Sequence, residues 1–181
     1  MVTEEMGKPI LQAEVEVRKS IAFCNYYGSE FVPPQPKAFT SAAKKHCVQK
    51  YLPIGTLYFL IPFNFPFFLH FKGIIPNLLL GNVVMARSAD SCPRVGKITE
   101  ECMFEAGFSN GEYQDVFTNH EQLDMILKDP SVGGVSFTGS SKAGAMIAAK
   151  AGHYLKRSVM ELGGNDPFVV LEDGDIDLAI S

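Results

Sequence analysis

The sequence predicts an α/β fold, a parallel sheet with helices on both faces. Three observations carry the prediction. From residue 55 onward, apolar runs of strand length alternate with segments of helix length, the pattern of parallel strands joined by crossover helices. The runs are nearly continuous rather than alternating, as expected of strands buried on both sides. Short turn-forming stretches follow them: PFNFP, RSADSC, TGSS and ELGG. Turns at the carboxyl ends of such strands are where these sheets hold ligands.

Taken in order, residues 10–31 carry helical spacing. Residues 31–37 (FVPPQPK) hold three prolines in seven residues and read as an extended connector. Residues 38–51 suit a short strand or hairpin. The run GTLYFLI at 55–61, bounded by Pro53 and Pro62, is a strand. Residues 66–80 form a helix, with Pro66 suited to its first turn and Gly81 to its stop. A strand over 82–86 and a helix over 93–106 follow, then a strand over 113–117 and a helix from about His120 to 127. A strand over 134–137 leads through Thr138, Gly139 and Ser140 into a helix ending near Gly152. Two further strands are expected at 158–162 and 168–171. This divides the chain into a helical segment with its connector (1–35), a strand or hairpin segment (36–52) and the sheet domain (53–181).

Composition narrows the class. With 181 residues, 46% hydrophobic and 20% charged, the chain is long enough for one sizeable core and is ordinary for a folded protein. A net charge of −4 and the absence of any Lys/Arg patch exclude an electrostatic footprint for nucleic acid. The adjacent Lys44 and Lys45 read as a solvated face. Cys24, Cys47, Cys92 and Cys102 show neither a CxxC pair nor zinc-ligand spacing, so free thiols in a reducing compartment are expected and no metal is implied. The opening MVTEEMGKPI has acidic residues where a signal peptide would need basic and then apolar ones, so no such leader is expected in it. The apolar stretch 52–85 is broken by Pro53, Pro62, Asn64, Pro66, His70, Lys72 and Pro76, short of the roughly 18 clean residues of a membrane span. The expectation is a soluble, cytoplasmic protein with no membrane partner; a mitochondrial location is also compatible.

Three turns could carry chemistry. In FTGSS (137–141), Gly139 would let a ligand approach the backbone, and Ser140 at a helix start could meet an anion alongside free N–H groups; the alternative is an ordinary Ser N-cap. No GxGxxG is present. In ELGG (161–164), Glu161 ends an apolar strand where partial desolvation would suit general-base work; the alternative is a strand-end ion pair. In IPFNFP (61–66), Asn64 sits in a stiff turn where its amide could stabilise an oxyanion, or could simply satisfy the turn backbone.

Together, Pro53-Ile54-Gly55, Ile61 through Pro66, Gly81-Asn82, Phe137 through Ser140 and Glu161 through Gly164 resemble the aldehyde dehydrogenase superfamily. Glu5 through Pro9, Tyr26-Tyr27 and Asn165 through Phe168 look most like its succinate-semialdehyde dehydrogenase branch. The resemblance covers nearly the whole chain and implies a Rossmann-like cofactor-binding domain, incomplete here. It implies that Asn64 helps form the oxyanion hole and that Glu161 is the general base. It also implies NAD or NADP as cofactor, held by Ile61, Pro62, Phe63, Arg87, Asp90, Gly139, Ser140 and Leu162. Arg87 stands where the family has an adenosine-ribose lysine, keeping charge but changing geometry. Asp90 would repel a 2′-phosphate, which leans toward NAD. Phe63 replaces the commoner tryptophan.

The family reaction needs a cysteine thiolate that attacks the aldehyde, after which hydride passes to the nicotinamide and water releases the acid. The resemblance places that cysteine beyond Ser181, and none of the four cysteines present matches it. This chain alone is therefore expected to be inactive toward aldehydes. The readings open at this point are a partial aldehyde dehydrogenase, a stand-alone nucleotide-binding or interaction module, and a non-functional remnant. The resemblance implies a small aldehyde as substrate and a homo-oligomer.

Overall fold

The computed structural model describes residues 1–40, 45–119 and 121–180. Lys44, His120 and Ser181 lie outside them, and with His120 the expected start of one helix. In the sheet domain, β3 (Thr56–Leu60), α3 (Pro66–Leu79), β4 (Val83–Arg87), α4 (Pro93–Glu105), β5 (Tyr113–Asp115), α5 (Gln122–Lys128), β6 (Val132–Gly139), α6 (Ser141–His153) and β7 (Arg157–Leu162) follow one another in the anticipated alternation. Before them come α1 (Val2–Met6), α2 (Ile10–Ser29), β1 (Lys37–Thr40) and β2 (His46–Gln49); α7 (Ile176–Ile180) comes last.

The five strands lie in the order β5-β4-β3-β6-β7 and every pairing is parallel. The chain enters at the middle, winds out to β5, and returns to lay β6 on the other side of β3. The gap between β3 and β6 is thus the topological switch point.

Helices cover both faces. On one, α3 and α4 bury Phe71, Ile74, Leu78 and Met103 against Leu57, Phe59, Val84 and Ala86. On the other, α5 and α6 bury Leu123, Leu127, Ile147 and Ala151 against Tyr58, Val132 and Val135. Gly73 lets α3 sit close on β3, because a Cβ there would stand 2.5 Å from the Phe59 ring. The apolar stretch 52–85 resolves into strand, turn, helix and strand, and among the described residues no helix is long and apolar enough to cross a membrane.

Within the expected strand or hairpin segment, Lys37–Thr40 and His46–Gln49 pair as the two-stranded antiparallel ribbon β1–β2, separate from the main sheet. The structure corrects one expected strand. Residues 168–171 are irregular and exposed, with Phe168 at 79% exposure. Their apolar composition suits a strand, but a strand exists only when another backbone pairs with it, and none of the described residues does. The five-residue α1 was not anticipated; too short for a periodicity, it ends at Gly7 in the left-handed conformation.

Candidate active site

The register gathers the expected site residues along one edge of the sheet. Leu60 pairs with both Arg87 and Phe137, and Thr138 pairs with Glu161. Ile61, Pro62, Phe63 and Asn64 therefore leave β3 at the switch point. Arg87 and Asp90 lie to one side of them, and Gly139, Ser140, Glu161 and Leu162 to the other. From β4 to β7 this edge spans three strand spacings, about 14 Å.

Ser140 is the N-cap of α6, its Oγ accepting the Ala143 N–H at 3.3 Å. The ordinary capping role is thus present. It does not exclude a ligand, because the first turn still leaves the Ser141 and Lys142 N–H groups without an intrahelical acceptor. Leu162, paired with Gly139, packs on Gly144 of α6, and Gly163 lies near Ser141. The ELGG turn and the α6 N-terminus are therefore one local structure.

On the other side, the Arg87 guanidinium is fixed by two bonds. Nε donates to the Thr118 carbonyl at 2.7 Å and Nη2 to Asp90 Oδ1 at 2.5 Å. Thr118 is in turn held by its hydroxyl, 2.5 Å from the buried Tyr58 phenol of β3. A cavity of about 420 Å³ opens between Arg87, Ser88, Asp90, Phe117 and Asn119. A cationic group and a carboxylate stand at its rim.

Asn64 makes the local backbone bond that turn chemistry allows: its Oδ1 accepts the Phe65 N–H at 3.0 Å. Because that partner can only donate, the amide oxygen must face it, and Nδ2 faces away as a donor. Glu161 is exposed and makes no ion pair among the described residues. The desolvation expected of it is not supplied by these residues. It lines a cavity of about 330 Å³ with Leu60, Ile61, Leu69, Lys72 and Thr138.

The pairing of two residues was not anticipated, although one of them, Lys8, lies in the Glu5–Pro9 motif of the resemblance. Lys8 and Glu16 form an ion pair at 2.5 Å beneath the Asn64 turn, with 7% and 0% of their side chains exposed. Glu16 Oε1 also accepts the N–H groups of Phe67 and Phe68, at 2.8 and 3.0 Å, capping α3 from a distant helix. A signal was present: Ala13, Glu16 and Ser20 share one helical face, and all three are buried. A carboxylate between two small residues on a core-facing stripe asks for a partner.

None of the described cysteines offers an exposed thiolate at this edge. Cys24, Cys47 and Cys102 lie on α2, β2 and α4. Cys92 caps α4 but is fully buried. Burial pushes the thiols of Cys24, Cys92 and Cys102 up.

A doubly wound parallel sheet with its switch point at such an edge defines an α/β protein of the Rossmann-like kind, a fold that holds ligands at that edge. The chain belongs to the aldehyde dehydrogenase family, whose model matches residues 1–181. It is 38% identical over 181 residues to the succinate semialdehyde dehydrogenase [NAD(P)+] Sad of Escherichia coli, covering 99% of this chain and 39% of that protein. It is 36% identical to the succinate-semialdehyde dehydrogenase [NADP(+)] of Deinococcus radiodurans, covering 99% of this chain and 38% of that one. Among solved structures, the succinic semialdehyde dehydrogenase of Streptococcus pyogenes in complex with NADP+ superposes with a TM-score of 0.86 at 32% identity, over 97% of this chain and 39% of that one. The chain thus spans about two-fifths of the length of these relatives.

It is succinate-semialdehyde dehydrogenase-like, and the family uses NAD(P). The expected lean toward NAD finds no support, since the relatives' names specify NAD(P)+ or NADP+. The physical reason lies in the site: Asp90 is paired with Arg87, so its repulsion of a 2′-phosphate is offset by an adjacent cation.

Proposed function

We propose that this chain is the cofactor-binding part of an NADP-accepting dehydrogenase that oxidises succinate semialdehyde to its acid. The observation that carries the reading is the Asn64 turn. It leaves β3 at the switch point, between the Arg87 pocket and the α6 N-terminus, with its side chain exposed and its amide nitrogen turned away from the Phe65 N–H. The residues present suit the cofactor: α6 offers N–H groups and a positive dipole end to a pyrophosphate, and Arg87 offers a cation to the adenosine side. When bound, NADP supplies the hydride acceptor.

In this reading Ile61, Pro62 and Phe63 line the cleft, Gly139 and Leu162 leave room for the pyrophosphate, and Ser140 caps the helix that meets it. Asn64 Nδ2 donates to the aldehyde oxygen as negative charge develops there, where a fixed donor is worth most. Glu161 takes a proton from the water that releases the acid. The attacking thiol comes from outside these 181 residues, so activity requires the remainder of a relative-length protein. We further infer an assembly of like chains: a two-stranded ribbon such as β1–β2 is marginal alone, and it exposes Phe39 and Val48. Partner and ligand are a second copy and a small aldehyde, without nucleic acid or membrane, in the cytoplasm.

The exposed apolar segment 168–171 and the exposed edge strand β7 favour this over a self-sufficient module. The test is a chimera in which residues 1–181 replace the matching segment of the E. coli relative. It should reduce NADP+ with succinate semialdehyde, and Asn64→Ala should lower kcat by about 100-fold. Full turnover by Asn64→Ala or by Glu161→Gln would overturn the assigned roles.

A further inference from the structure

We propose that Lys8 and Glu16 are positioning residues for Asn64: a buried ion pair that sets the direction in which the Asn64 amide nitrogen points. The inference rests on the oxyanion role assigned to Asn64 above and adds the device that holds it.

The argument is geometric. The Lys8 ammonium has three protons. One goes to Glu16 Oε2 at 2.5 Å and one to the Asn64 backbone carbonyl at 2.6 Å, while the charge stands 4.0 Å from the centre of the Phe65 ring. That carbonyl and the Phe65 N–H are the two ends of one peptide plane. Lys8 grips the oxygen end, and the Asn64 side-chain oxygen is bonded to the nitrogen end. Rotating the plane would break both bonds, so the grip on the carbonyl also fixes the side-chain amide. Glu16 completes the arrangement from below. Its second oxygen binds the Phe67 and Phe68 N–H groups, so the helix that follows the turn cannot shift relative to Lys8.

Burying two charges is costly, and an apolar pair of the same volume would serve packing as well or better. What an apolar pair could not do is hold the 64–65 peptide. Lys8 is itself placed with little freedom, between the left-handed Gly7 that ends α1 and Pro9, which caps α2.

The test is side-chain NMR of the 181-residue chain. In the unsubstituted chain the Lys8 ammonium protons should be protected from exchange and show through-space contacts to Asn64. Lys8→Met should move the Asn64 Nδ2 resonances and speed exchange of the Phe65 N–H by about tenfold or more, leaving the amides of β6 where they were. Glu16→Gln retains an acceptor for Phe67 and Phe68, so α3 stays capped, yet it removes the charge that holds Lys8 and should move the same Asn64 signals. Asn64 signals that stay put in a folded variant overturn the proposal. So does an unprotected Lys8 ammonium in the unsubstituted chain, a measurement that needs no variant to fold. Failure of the oxyanion role would show elsewhere, as undiminished turnover of the Asn64→Ala chimera while these signals still move.

Discussion

Tyr113 carries a phenol into the core at the start of β5, and its hydroxyl finds no hydrogen-bond partner among the described residues. Burial pushes its pKa well above the usual phenol value, so it stays neutral, but an unpaired buried hydroxyl still costs about 1–3 kcal/mol. Tyr113→Phe removes the hydroxyl and keeps the ring, and is expected to raise stability by about 1 kcal/mol, or about 2–4 °C in Tm. Thermal unfolding checks it; a loss of stability would mean the hydroxyl has a partner in solution. Single residues were legible in the sequence where their chemistry is local. Asn64 and Ser140 each bond a backbone group within three positions, and turn and cap rules find such cases. Lys8 and Glu16 were not, because the backbone groups they hold lie 51 to 56 positions away, and nothing in a local window ties a lysine at the chain start to a turn after a strand.

Between elements, a largely buried polar relay joins α3, the residue that follows β4, and β5. The His70 ring contacts the Pro66 carbonyl through Nδ1, which must therefore carry the proton, and Nε2 faces the Ser88 hydroxyl at 3.2 Å. Ser88 also reaches Asp115 Oδ1 at 3.1 Å. One hydroxyl proton cannot serve two acceptors, but a protonated Asp115 would donate to Ser88 and complete the relay. Burial lowers His70 from 6.5 to about 4 and raises Asp115 from 3.8 to about 6. The signs oppose. His70 contributes stability that is present above pH 6.5 and lost as pH falls toward 4. Asp115 contributes stability that is present below pH 3.8 and lost as pH rises through 6. Asp115→Asn should leave a stability that climbs from pH 4 to 6.5, and His70→Asn one that declines from pH 4 to 6, each by at most about 1.4 kcal/mol per pH unit. Urea unfolding across that range decides it, and slopes of the same sign in both variants would refute the assignment. Gly96 of α4 belongs to the same contact: a Cβ there would overlap Ser88 Oγ and Asp115 Oδ1. At this scale the sequence was most informative, since each strand and helix from 55 to 162 follows from apolar runs and their punctuation. Residues 168–171 mark the limit, because an apolar run specifies the wish for a partner and not its presence.

For the whole molecule, strand order follows from the switch in direction at β6, and this sets Arg87 and Asp90 on one flank of Asn64 and Gly139 through Leu162 on the other. If these flanks bind a dinucleotide without the rest of a relative-length protein, NADP+ at tenfold excess over its Kd should stabilise the chain by about 1.4 kcal/mol, a rise of roughly 3–6 °C in Tm. NAD+ at the same concentration should raise it less. No shift with either at millimolar concentration would remove the cofactor seat from this chain. The cap that Glu16 places on α3 has a consequence for how such a molecule comes together. Closing the 51-residue loop between Glu16 and Phe67 costs roughly 3.5 kcal/mol of chain entropy, a cost no short-range contact can meet in advance. The turn at the centre of the site therefore becomes rigid only once the first two helices have docked, and any opening of that strap, whose Ile10, Leu11 and Val15 face solvent, slackens a residue that sits far along the chain.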